Sequence, residues 1–208
     1  MRRVRTLVWL AVLAVMAPMT SAQPADECAC LWQGDFSEVQ AEADLVVTGT
    51  IISRKGNSVD LALERILRGR EVQETVRIWL QARDYCRPPA ENFPPGSRWV
   101  MALYRINEEV PGGFDPGTPN ISYGRIGDYR LSSCGGYWLE LQDGWVTGNL
   151  VNAPRWERTP KMTPVLLDLL AAYVRGEVDR QALVKASRED PALRELMLDT
   201  REFLRDER

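Results

Sequence analysis

The chain has 208 residues with 26 Lys and Arg against 29 Asp and Glu, a net charge of −3 and no histidine. Without histidine there is no Ser-His-Asp or Cys-His catalysis, no His-ligated zinc and no imidazole pH switch. An acidic chain is also a poor match for phosphate backbones, so no nucleic-acid partner is expected.

Residues 1–22 read as a signal peptide. Arg2, Arg3 and Arg5 form a basic start, Leu7 to Met16 an apolar run too short to span a bilayer, and Pro18-Met19-Thr20-Ser21-Ala22 a small-residue cleavage site. Export to the periplasm or the medium is expected, with no membrane span after cleavage. Losing three arginines leaves 23 basic against 29 acidic side chains, a mature charge of −6. Residues 23–27 form a short mature tail ahead of Cys28-Ala29-Cys30.

Asp35 and Glu38 flank Phe36 and Ser37 as a capping box, which predicts a short helix carried on by Val39, Ala41 and Ala43. Leu45 to Ile52 is β-branched and apolar, with Gly49 as a bulge or bend. Lys55-Gly56-Asn57 is a turn. Val59, Leu61 and Leu63 alternate with Asp60, Ala62 and Glu64, which fits a half-buried strand, and Val76, Ile78 and Leu80 repeat the two-residue spacing. Trp99 to Ile106 follows a proline-rich loop, and a long Pro/Gly loop separates it from Tyr129 to Leu141, interrupted at Gly135-Gly136. Trp145 to Leu150 is the last strand signal. Short strands punctuated by turns indicate an antiparallel sandwich or barrel.

Beyond Pro160 the period changes. Thr163-Pro164 opens a helix with Val165, Leu166, Leu169, Leu170 and Tyr173 on one face, ended by Gly176. Asp179 caps a second helix with Ala182, Leu183 and Ala186. Asp190-Pro191 starts a third with Leu193, Leu196, Met197, Phe203 and Leu204. The expected division is 28–155 as a β-domain and 160–208 as a helical extension. That extension is read as packing on the β-domain or on itself, dispensable to the barrel core.

The four cysteines in an oxidising compartment predict two disulfides, and spacing alone leaves the pairing open. A Cys28–Cys30 bridge would close a tiny strained ring, and a four-thiolate metal site lacks the usual C-x-x-C spacing. No metal and no cofactor are expected.

Taken together, Cys28-Ala29-Cys30, Ala43-Asp44-Leu45-Val46-Val47-Thr48-Gly49-Thr50, Arg65-Ile66-Leu67-Arg68-Gly69, Cys86, Gly96-Ser97-Arg98-Trp99-Val100-Met101-Ala102-Leu103 and Tyr129-Arg130-Leu131-Ser132-Ser133-Cys134-Gly135 resemble the netrin-like family. That family includes the tissue inhibitors of metalloproteinases. The resemblance covers about Cys28 to Asn149. It implies a mainly β fold, a five-stranded OB-type barrel with flanking helices, and the pairings Cys28–Cys86 and Cys30–Cys134. The third disulfide of the animal inhibitors has no cysteines here. In those inhibitors the α-amine and carbonyl of the first cysteine chelate the protease zinc. Here residues 23–27 precede Cys28, whose nitrogen is then an amide and a poor ligand.

The functional expectation is a non-catalytic, disulfide-stapled protein-binding module. Its contact ridge would be Cys28, Ala29, Cys30, Leu31 and Trp32 beside Arg83, Asp84 and Tyr85. A metalloprotease inhibitor acting through the Cys28-Ala29-Cys30 edge, on an extracytoplasmic metalloprotease, is one alternative. A carbohydrate-binding OB module is another, with Trp79, Trp99, Trp138 and Trp145 as a stacking platform, although such residues are more often core. Asp128, Glu140 and Asp143 could in principle do paired-carboxylate chemistry, but solvated loop charge is the simpler reading. Asn120-Ile121-Ser122 matches a glycosylation sequon.

Overall fold

The computed structural model of the protein describes residues 30–82, 85–111, 113, 115–152 and 164–189. The signal segment, Cys28, Ala29, Arg83, Asp84, residues 153–163 and the third tail helix lie outside the described residues.

Eight strands form one sheet: β1 (Leu45–Lys55), β2 (Ser58–Arg68), β3 (Thr75–Trp79), β4 (Arg98–Arg105), β5 (Tyr129–Arg130), β6 (Trp138–Gln142), β7 (Trp145–Gly148) and β8 (Val165–Leu166). Five of them close on themselves in the order β1-β2-β3-β5-β4-β1, with β3–β5 parallel and the other contacts antiparallel. This is a mainly β fold built on a closed five-stranded OB-type barrel, as expected. Closure removes the free edges that an open five-stranded sheet would leave.

The barrel closes because β1 is long, twisted and bulged. Its register against β2 slips between Thr48 and Gly49, where the bulge was expected. A Cβ on Gly49 would stand 2.3 Å from the Ala62 carbonyl oxygen, so only glycine lets the two backbones approach this closely. Inward residues Val47, Ile51, Leu61, Val76, Ile78, Met101 and Leu103 are buried. Phe36 and Val39 on helix α1 (Phe36–Val39) join the same core. Glu38 accepts the Asp35 backbone N–H at 3.1 Å, which completes the capping box read from the sequence. The helix is shorter than expected, because residues 40–42 tighten into a 3-10 turn.

Two boundaries differ from the sequence reading. Tyr129 to Leu141 is not one interrupted strand: β5 ends at Arg130, and residues 131–137, Cys134 included, form the connection to β6. Val165 and Leu166 are not helical. They pair with Val146 and Trp145 as β8, because the open edge of β7 offers hydrogen bonds that the first turn of a helix cannot supply to itself. Helix α2 (Leu167–Val174) then starts, and helix α3 (Arg180–Glu189) follows Gly176 at φ +76° and the Asp179 cap.

The described part of the tail packs on the barrel and is integral to its core. Val165, Leu170, Ala171, Val174, Leu183 and Val184 belong to the same buried cluster as the barrel strands. Tyr173 donates its hydroxyl to the Ser37 carbonyl at 2.7 Å. Arg180 reaches Ser37 Oγ and Asp35 Oδ2, each at 2.9 Å. The tail was expected to pack on the β-domain or on itself as a dispensable appendage; its described apolar residues share the barrel's buried cluster. An amphipathic helix of eight or ten residues has little stability alone, and here the apolar face is covered by the barrel. Among the described residues, no helix is long and apolar enough to cross a membrane.

Candidate functional site

The site grows from the cysteines. Cys30 and Cys134 form a disulfide with Cα atoms 5.8 Å apart across a sequence separation of 104. Cys86 is also disulfide-bonded. The sulfurs of Cys30, Cys86 and Cys134 all lie within 4.8 Å of one another. That brings three chain segments together at one end of the barrel: the stretch before α1, the loop after β3, and the β5–β6 connection. Main-chain hydrogen bonds weld them further. Gln33 N–H donates to the Cys134 carbonyl at 2.7 Å, Gly136 N–H to Gly34 at 2.9 Å, and Ser133 N–H to Cys86 at 3.0 Å.

Of the expected ridge, Cys30, Leu31, Trp32 and Tyr85 are described, and the structure brings them to this junction. Leu31 is 88% exposed and Trp32 is half-buried. Tyr85 is exposed and stacks on Tyr123 with ring centres 5.2 Å apart. Cys28, Ala29, Arg83 and Asp84 lie outside the described residues. Beneath the ridge, Gln33 Oε1 accepts the Tyr137 hydroxyl at 2.6 Å, and Tyr137 and Tyr104 share a hydrogen bond at 3.0 Å. Burial, then the Tyr104 contact, pushes the Tyr137 phenol well above its usual range, so it stays a neutral donor.

Arg87, next to Cys86, is a residue the sequence did not single out. Only 6% of it is exposed, and its Nη1 is buried with no hydrogen-bond partner among the described residues. Its guanidinium lies 4.7 Å from the centre of the Tyr85 ring. Burial, with the Arg130 cation nearby, pushes its pKa down to about 10, so it remains charged at neutral pH. A buried cation without a carboxylate carries a desolvation cost of several kcal/mol. In the sequence it stands ahead of Pro88-Pro89, and no spacing pattern marks it.

The other sequence candidates resolve differently. Trp79, Trp99 and Trp138 are core residues, 1%, 8% and 4% exposed. Trp79 Nε1 donates to Asp128 at 2.7 Å, and Phe93 packs edge-on against both Trp99 and Trp138. Trp145 alone of the four is exposed, so no four-indole platform forms. Asp128 is occupied by Trp79, and Asp143 holds the tight β6–β7 turn at φ +50°. Ser122 of the sequon is buried, and Asn57 bonds its backbone from both sides, to N–H at 3.0 Å and to the carbonyl at 2.8 Å.

A second charged cluster is structural. Glu71 accepts the Tyr129 hydroxyl at 2.6 Å, Arg105 at 2.6 Å and the N–H groups of Val72 and Gln73. Burial opposes its ionisation, but these donors outweigh it and hold the carboxyl down at about 2. Arg105 also contacts the Tyr129 hydroxyl. The cluster ties the β2–β3 loop to β4 and β5.

No protein-family model, no curated protein and no solved structure matches this chain.

Proposed function

We propose that the chain is an exported, non-catalytic protein-binding module whose contact surface is the disulfide-pinned ridge around Cys30, Leu31, Trp32 and Tyr85. The observation that carries this reading is the convergence of three sulfurs within 4.8 Å of one another, one of them on Cys30 next to Leu31, a side chain left 88% in solvent. Covalent and main-chain ties make these segments rigid before any partner arrives, so little conformational entropy remains to be lost on binding. Aromatic and large apolar residues on such a ridge are the types that dominate interface energetics.

The barrel face is the weaker candidate. Its outward residues are matched across strands: Glu64 with Arg98 at 2.6 Å and Thr50 at 2.6 Å, Asp60 with Arg77 at 2.8 Å and Ser53 at 2.7 Å. Groups already satisfied in this way have little to offer a carbohydrate. Chelation of a protease zinc would need Cys28 as the mature N-terminus, and the tail from Gln23 to Glu27 argues against it.

The test starts from protein whose intact mass begins at Gln23, purified from the medium or envelope. Leu31→Asp should keep the wild-type melting temperature, and Leu31→Asp and Tyr85→Ala should each weaken partner capture at least tenfold, about 1.4 kcal/mol. If Trp145→Asp abolishes capture while the ridge variants retain it, the barrel face is the contact surface and the reading fails.

A further inference from the structure

A buried guanidinium needs an anion, and Arg87 has none among the described residues. Its Nη1 is sealed from water without an acceptor, and the residue is more than nine-tenths buried. Its visible companion is an aromatic face, Tyr85, which stabilises a cation but cannot accept the in-plane N–H bonds that guanidinium directs outward. Nearby Arg130 worsens the local charge balance; it is exposed and lies 5.1 Å over the Tyr104 ring. Ion pairs elsewhere follow the opposite rule. Arg77, Arg98, Arg105 and Arg180 each meet a carboxylate within 3 Å. The chain is acidic overall, so carboxylates are plentiful, yet this position is supplied with cations.

We propose that Arg87, with Arg130 beside it and Tyr85 against it, is a receptor for a carboxylate group. A planar carboxylate matches the guanidinium fork, which binds it through two parallel N–H···O bonds. Tyr85 is 37% exposed, forms part of the ridge and lies 4.7 Å from the guanidinium, so this ring links Arg87 to the contact surface. The carboxylate can be a free small acid or an acidic side chain of the bound partner. The second source rests on the proposed function, and the first does not.

The experiment separates them. Arginine Nε–H signals are followed by NMR while sodium acetate replaces sodium chloride at constant ionic strength. The signal absent from Arg87→Met should shift saturably with acetate, and Arg130→Gln should weaken that titration several-fold. Without acetate, Arg87→Met should be as stable as wild type or more so, because it removes a buried uncompensated charge. A partner-borne carboxylate predicts at least a tenfold loss of partner affinity in Arg87→Met. A free acid predicts the acetate shift with partner capture intact. If the Arg87 signal ignores acetate, the inference falls, while Leu31→Asp still tests the ridge by itself. If Arg87→Met is strongly destabilised or unfolded, a carboxylate of the chain itself already satisfies Arg87, and the inference again falls.

Discussion

Replacing both Cys30 and Cys134 by serine removes one cross-link and leaves the surrounding hydrogen bonds in place. The double variant is the right perturbation. A single replacement would leave a free thiol within 4.8 Å of the Cys86 sulfur, where exchange could confuse the result. The bridge closes a loop with a sequence separation of 104, for which the chain-entropy model assigns about 4.7 kcal/mol. If a Cys28–Cys86 bridge is also present, the shortest covalent loop through it is roughly half as long, and the same expression gives about 4.1 kcal/mol. The native side should change little, since Gln33 and Gly136 keep their main-chain bonds to the opposing segments. Most of the loss therefore comes from a freer denatured chain. Urea unfolding followed by tryptophan fluorescence and circular dichroism should show a loss of about 4 kcal/mol and a slightly larger m-value, because the uncross-linked chain exposes more surface. The melting temperature should fall by about 10 to 15 °C. A loss below about 1 kcal/mol with unchanged m would mean that the denatured chain holds these segments together without the bridge, and the entropic argument would be wrong.

Deleting the chain from Val165 onward exposes the β7 edge and the surfaces under Leu170, Ala171, Val174 and Leu183. The shortened protein should lose its cooperative melt or bind a hydrophobic dye, whereas a full two-state transition near the wild-type temperature would show that the barrel core is complete without the tail. Glu71→Gln should cost about 1.5–3 kcal/mol in urea unfolding, since it weakens charge-assisted bonds from Tyr129 and Arg105. The Glu71 carboxyl titrates at about 2 when folded against 4.5 in the unfolded chain, so the unfolded state binds the extra proton. Its contribution is complete above about pH 4.5 and disappears as pH falls toward 2. The gap between wild type and Glu71→Gln should narrow across that window, and a gap constant to pH 2.5 would contradict the assignment.

Several features were readable without coordinates because their causes are local. The Asp35–Glu38 capping box needs only four consecutive residues, and the alternation in Val59–Leu63 and Val76–Leu80 reports a strand wherever it lies. Gly49 as a bulge followed from its place inside a β-branched run. Other features depend on residues far apart in the chain. The barrel closes through Ile78 against Tyr129 and Trp79 against Arg130, a pairing across some fifty residues that no local pattern encodes. Val165 and Leu166 fit a helical face as well as a strand, and the vacant hydrogen bonds of β7 decide between them. Arg87 is the sharpest case. An arginine is exposed by default, so its burial and its orphaned Nη1 arise only when the fold packs one end of the barrel around the sulfurs of three separate segments.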